Sequence, residues 1–170
     1  MRFLLIDQIH ELVRGEKIVA SKSLSLAEEY LADHFPKFPV LPGVFMVEAM
    51  SQSATWLMRE EEDFAHSAVM LKSARNIKYS GFVSPGDTLR LQATVVKSEG
   101  NETTFKVSGH VGEKQCVSGR IVLEKFNLAD TDPIQKPRDD YARDEARDQF
   151  ILLRGPEAVA KSKAEAVAAS

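Results

Sequence analysis

The hydrophobic positions of this chain fall into short runs, then one long apolar block, then an alternating pattern. Phe3-Leu4-Leu5-Ile6 and the segment around Ile18-Val19-Ala20 predict strands over about 2–6 and about 16–24. Ser25 stands three residues before Glu28, the spacing of a capping box, and predicts a short helix through about Ala32. From Val44 to Met58 almost every position is apolar, which predicts a helix over about 43–60 with protein on most sides. Beyond it the period falls to two. Leu89, Leu91, Ala93 and Val95 alternate with Arg90, Gln92 and Thr94, and Phe105, Val107 and Val111 keep a similar beat. Four strands are expected, over about 67–79, 87–98, 102–111 and 115–126. Gly100-Asn101 and Gly112-Glu113 mark hairpins between them, and Pro85-Gly86 marks a tight turn. The pattern is that of an α+β fold, a long antiparallel sheet curved around one apolar helix.

The apolar block is not uniform. Glu48, Ser51, Gln52 and Thr55 interrupt it at spacings that set all four on one stripe of the helix. A polar stripe on a surrounded helix predicts a lined cavity, with Gln52 one turn from the Glu48 carboxyl and able to bond it. Pro42 suits a helix start, and Gly43 leaves the unpaired N–H groups of the first turn sterically open to a developing oxyanion. Just upstream, His34-Phe35-Pro36-Lys37-Phe38-Pro39-Val40-Leu41-Pro42-Gly43 places a histidine before a proline-stiffened loop. An ionisable group on an apolar helix is costly to bury without a partner or a task, and His with Glu is a pair suited to proton transfer near neutral pH. The residues alone leave other readings open. Glu48 can be a structural carboxyl, His34 a satisfied loop histidine, and the prolines a polyproline ligand. Phe35, Phe38, Val40 and Leu41 speak against the last, because they read as packing residues of a buried loop.

With 170 residues and 44% hydrophobic content, the chain can bury one proper core. A net charge of -3, with no run of alternating basic and aromatic residues, gives no case for nucleic acid. Cys116 is the only cysteine, so no internal disulfide is possible and a reducing, cytoplasmic setting is expected. Asp7 cuts the first apolar run short of a signal peptide, and Glu48 interrupts the longest apolar segment, so no membrane insertion is expected. His10, His34, His66 and His110 are scattered, and neither metal-ligand spacing nor a Gly-x-Ser-x-Gly elbow nor a phosphate loop occurs. Cys116 has no basic neighbour to favour its thiolate and is expected to be inert. Glu60-Glu61-Glu62-Asp63 reads as a solvated helix end.

Past Asn127 the composition shifts, dividing the chain into a domain at 1–127 and an extension at 128–170. Asp130-Thr131-Asp132-Pro133 and Lys136-Pro137 read as linker. From Asp139 to Leu153 helical spacing turns Tyr141, Ala142, Ala146, Phe150 and Leu153 toward one side. The last residues, from Ala158, predict a weak helix or disorder. The extension reads as an arm packed on its own or a neighbouring subunit.

The run His-Phe-Pro-x-x-Pro-Val-x-Pro-Gly-Val, with Glu48 five residues after Gly43 and Gln52 four later, resembles the β-hydroxyacyl-(acyl carrier protein) dehydratases, nearest to the FabZ type. Ile77-Lys78-Tyr79-Ser80-Gly81-Phe82-Val83-Ser84-Pro85-Gly86-Asp87 resembles the family's later strand and Pro-Gly-Asp turn. The chain departs from the pattern at Asp33, where the family usually has Gly, and in lacking the common arginine and phenylalanine pattern of the second block. The resemblance implies a hot-dog fold and dehydration of a (3R)-hydroxyacyl thioester on acyl carrier protein to the trans-2-enoyl thioester, with no metal or organic cofactor. His34 would take the C2 proton, Gly43 N–H would meet the thioester oxygen, and Glu48, oriented by Gln52, would assist departure of the hydroxyl. The resemblance also implies a homodimer with His34 and Glu48 from different subunits, trimers of such dimers being common in the family. Acyl carrier proteins are acidic, and Lys72, Arg75 and Lys78, with Lys37 as a fourth, are candidate docking residues. Strand alternation would put Lys72 and Lys78 on one face, so Arg75 needs a bulge to join them. Ordinary solvated lysines are the simpler reading of each. A hot-dog thioesterase and a non-catalytic acyl-binding protein are the alternative functions.

Overall fold

The computed structural model describes residues 3–168 of the chain. Six strands form one antiparallel sheet: β1 (Gln8–Val13), β2 (Lys17–Ser23), β3 (Ala68–Tyr79), β4 (Thr88–Glu99), β5 (Glu102–Val111) and β6 (Lys114–Phe126), in the order β1-β2-β4-β5-β6-β3. Alternation decides which way they face. Leu89, Leu91 and Ala93 of β4, Phe105 and Val107 of β5, and Val117, Ile121 and Leu123 of β6 are sealed in the core, while Arg90, Gln92, Lys106 and Arg120 stand outside. Gly100 and Gly112 turn the two hairpins with φ of +57° and +55°, a region other residues enter only at a cost. Helix α1 (Gly43–Glu61) lies in the curve of the sheet against β2 to β6. Its Ala49, Met50, Ala54 and Leu57 are completely buried, and burying each larger side chain contributes about 1.5–3 kcal/mol. This is the hot-dog arrangement.

Several local expectations are corrected. No strand forms over the described part of 2–6, and the first strand starts at Gln8. Phe3 and Leu4 are exposed while Leu5 and Ile6 are both buried, so burial does not alternate as in a strand, and Leu5 N–H bonds the Gln52 side chain instead of a ladder partner. The helix predicted from Ser25 shrinks to a single 3-10 turn at Glu29–Leu31. Its capping box fails because the Glu28 carboxylate accepts from Lys22 Nζ at 2.7 Å. The acidic end of α1 is only partly solvated. Glu60 is buried and takes Arg14 through both carboxylate oxygens, at 2.6 and 3.0 Å, while Glu62 pairs with Lys125 and His66.

The extension folds back on its own chain. Helix α2 (Lys136–Leu152) begins where a linker was expected, and helix α3 (Gly155–Ala168) is continuous. Phe150 of α2 packs on Trp56 and Phe64, whereas Tyr141 faces solvent and leaves the predicted apolar side. Leu153 C=O accepts from Ile9 N–H at 2.8 Å, and Ser162 Oγ accepts from Leu12 N–H at 3.2 Å, so α3 lies along β1. Asp139, buried at the start of α2, is the latch. Its carboxylate accepts from Ser67 Oγ and from the N–H groups of Leu128 and Ala129, both at 2.9 Å.

Candidate active site

His34 sits in the loop that feeds α1. Pro36, Pro39 and Pro42 restrict this loop, Phe35 takes a left-handed φ of +53°, and Phe38 N–H closes a turn onto Phe35 C=O at 2.7 Å. Val40 and Leu41 are buried, and Leu41 N–H bonds Val83 C=O at 2.9 Å. Phe35 and Phe38 are exposed, so the loop is buried only in its second half. The His34 ring is half-buried, with Nδ1 3.1 Å from Val40 C=O. A carbonyl only accepts, so Nδ1 carries the proton, and Nε2 of the neutral ring keeps its lone pair.

One turn into α1, Glu48 Oε1 accepts from Gln52 Nε2 at 3.0 Å, as the spacing predicts. Gln52 does more than orient a carboxylate. Its Nε2 also donates to Phe3 C=O at 3.0 Å, and its Oε1 accepts from Leu5 N–H at 2.9 Å. This side chain therefore ties the N-terminal segment to the helix beside Glu48. Ser51 leaves the expected polar lining, because its hydroxyl donates back to Val47 C=O at 3.0 Å. Thr55 and Gln52 do line a cavity of about 230 Å³, which Trp56 and Arg59 continue and Ala142 and Ala146 of α2 close.

Gly43 heads α1, where N–H groups have no intrahelical acceptor. Tyr79 lies on it: a Cβ added at Gly43 would stand 2.9 Å from the ring. Sequence reading missed this role for Tyr79, which sits far along the chain at the end of β3. Among the described residues no hydrogen bond or ion pair joins His34 to Glu48 within one chain: the first bonds Val40 and the second Gln52. Around them Phe35, Phe38, Val44, Tyr79 and Phe82 are each more than half exposed, with the rings of Phe38 and Phe82 in contact at 5.7 Å.

The basic trio divides. Lys72 is held by Glu102 at 2.5 Å and Glu124 at 3.4 Å, so it is removed from any free patch. A register shift between Arg75 and Lys78 supplies the bulge that Arg75 required, pairing Arg75 with Arg120 and Lys78 with Ser118. Lys37 is exposed in the His34 loop. Cys116 is buried against the carbonyls of Phe82 and Lys114. Among the described residues no three His, Cys, Asp or Glu side chains converge as metal ligands, and no helix is long and apolar enough to cross a membrane.

A FabA-like domain model matches residues 1–124. Over 121 residues the chain is 32% identical to the 3-hydroxyacyl-[acyl-carrier-protein] dehydratase FabZ of Clostridium kluyveri, spanning 71% of this chain and 84% of that protein. The dehydratase heterocomplex ApeI:P from Xenorhabdus doucetiae superposes with a TM-score of 0.64 at 20% identity, over 78% of this chain and 88% of that one. The fluoroacetyl-CoA-specific thioesterase FlK gives 0.58 at 17% identity, over 75% and 97%. At these identities the superpositions show the fold alone, and the family is read from sequence. With the model spanning the sheet and helix, and a FabZ dehydratase matched over most of its length, the chain belongs to the FabA-like family as a FabZ-type member.

Proposed function

We propose that this protein dehydrates a (3R)-hydroxyacyl thioester, carried on acyl carrier protein, to the trans-2-enoyl thioester in fatty-acid synthesis in the cytoplasm. The observation that carries the mechanism is the His34–Val40 bond, which leaves the Nε2 lone pair available as a base. His34 takes the C2 proton while the thioester oxygen gains charge against Gly43 N–H. The C2=C3 bond forms as the C3–O bond breaks, and Glu48 gives the departing hydroxyl its proton, so water leaves. Gln52 holds Oε1 of Glu48 and turns the other oxygen toward the substrate. The 1–127 unit performs this chemistry, and the 128–170 arm braces it.

The site is shared across a homodimer, His34 meeting Glu48 of the partner subunit. Three observations support this: among the described residues no hydrogen bond or ion pair joins His34 to Glu48 within the chain, the apolar side chains around them are exposed, and β3 is a sheet edge free to receive another strand. Sedimentation would distinguish a dimer from a trimer of dimers. The function is tested by supplying 3-hydroxyacyl thioesters of graded length and following enoyl formation and thioester loss separately. Enoyl product with the thioester intact is expected. Thioester loss alone would select the thioesterase alternative, and binding without change would select the acyl-binding one.

A further inference from the structure

The polar stripe of α1 does not end at Thr55. Arg59 follows four residues later, so Glu48, Gln52, Thr55 and Arg59 share one face of the helix. Arg59 Nη2 donates to Ser67 C=O at 3.0 Å, whereas Nη1 is sealed from solvent and meets no acceptor among the described residues. Its guanidinium stands 6.0 Å from the centre of the Trp56 ring. The acidic groups nearby on α1 are already engaged, Glu60 by Arg14 and Glu62 by Lys125 and His66. Burial holds the Arg59 pKa below the usual arginine value. A charge withdrawn from water is costly without a partner, so Nη1 calls for an acceptor. Two spaces flank the side chain. The one against Met58, Glu62, His66 and Lys125 leaves no room for a water molecule. The other is the cavity of about 230 Å³ between α1 and α2. Its α2 wall lies outside the residues that the FabA-like model matches, so the arm of this chain creates the enclosure.

We infer that this cavity binds a small monocarboxylic acid, its carboxylate on Arg59 and its apolar tail along Trp56 and the alanines of α2. Charge, lining and size each narrow the ligand. Arg59 is the single cation on the wall, and Glu145 on the α2 side disfavours a second negative charge, which excludes a dianion such as phosphate. A neutral ligand would leave the guanidinium without a counter-charge. Carboxylate is the anion whose planar oxygens suit a guanidinium. Leu4, Trp56, Ala142 and Ala146 make the rest of the wall largely apolar, with Thr55 and Gln149 as neutral hydrogen-bonding groups. The volume equals that of about seven or eight water molecules in the liquid, room for an acid the size of hexanoate. Gln52 belongs to the same wall and holds Glu48, so the ligand lies within a turn or two of the proposed catalytic carboxylate.

The test is a titration of the full chain with hexanoate, read by the emission of Trp56, the only tryptophan. A saturable change is expected at about 1 mM or below. Hexanamide, of nearly the same shape but uncharged, should bind at least about tenfold more weakly, because charge-assisted hydrogen bonds are the stronger ones. Arg59→Gln should remove the preference for acid over amide, and Ala142→Leu, which fills the cavity, should weaken both ligands. Neither residue belongs to the proton-transfer groups, and no measurement here requires turnover, so the result stands whatever reaction the protein performs. No saturable change, or equal affinity of the wild type for acid and amide, would overturn the site. Hexanoate binding unchanged in both variants would place the acid elsewhere and overturn it too. Calorimetric titration of the wild type gives the acid-to-amide ratio directly, so the inference is decided even if a variant fails to fold by circular dichroism.

Discussion

Gln52 donates to Glu48 at 3.0 Å with the same amide nitrogen that donates to Phe3 C=O, while its oxygen receives Leu5 N–H. One side chain thus couples the carboxylate of the site to the fixing of the N-terminal segment. Gln52→Ala should lower stability by about 1–3 kcal/mol, the cost of stranding such groups, and lower kcat as well. Denaturant melts and steady-state kinetics on one preparation check both. A variant that lost activity with an unchanged melt would break the proposed coupling.

Glu48→Gln and His34→Ala should each reduce turnover by about two to four orders of magnitude, the usual contribution of a positioned acid or base, with the fold intact by circular dichroism. Wild-type turnover in either variant would remove that residue from the mechanism.

Mixing His34→Ala subunits with Glu48→Gln subunits tests where the two groups meet. A mixed dimer holds one intact His34–Glu48 pair, so activity should return to a fraction of wild type. Mass spectrometry must show subunit exchange. An inactive mixture after exchange would place both groups in one chain.

Gly43→Ala sets a methyl group 2.9 to 3.3 Å from three atoms of the Tyr79 ring. The ring must move or the helix start must shift, at a cost of about 1–3 kcal/mol for overpacking. Adding Tyr79→Ala should return most of that stability, which a double-mutant cycle of thermal melts measures. Additive losses would mean that the two positions do not communicate.

Asp139 gives the molecule an acid-sensitive latch. Burial by itself would raise its pKa, but bonds from Ser67, Ala129 and Leu128 and the charge of Arg143 hold it below the ordinary carboxylate value. A folded-state pKa below the unfolded one contributes stability that is complete above the unfolded value and lost as pH falls through the folded one. The contribution of this latch to docking of α2 should therefore be complete above about pH 4 and decline progressively as pH falls below it. Trp56, the single tryptophan, lies against Phe150 of α2 with ring centroids 6.0 Å apart, and its fluorescence reports this docking directly. Asp139→Asn should shift the emission at neutral pH and flatten the acid response. An unchanged acid profile in that variant would show that another group controls docking.

Local pattern made much of the architecture legible. Alternation in β4 and β5 and the apolar block of α1 have one compact solution, because each apolar face must be buried against another. The misses have a common cause, which is competition from groups distant in sequence. Glu28 caps no helix because Lys22, held on the neighbouring strand, offers a charged partner. Glu60 is buried because Arg14 reaches it from the turn after β1. Tyr141 has helical spacing but lies off the side of α2 that meets Trp56.

What the sequence determined by itself was the chemistry on offer: a histidine before a stiffened loop, a glutamate on an apolar helix, and a glutamine one turn from it. These follow from covalent order and from the fixed periods of helix and strand, which need no tertiary information. Only the folded chain decided how those groups are held. It set the His34 tautomer through Val40, placed Tyr79 over Gly43, withdrew Ser51 from the polar lining, and neutralised Lys72 with Glu102. Each depends on which distant residues come within hydrogen-bonding or van der Waals distance, and sheet register and bulges set those distances only once the whole core has closed.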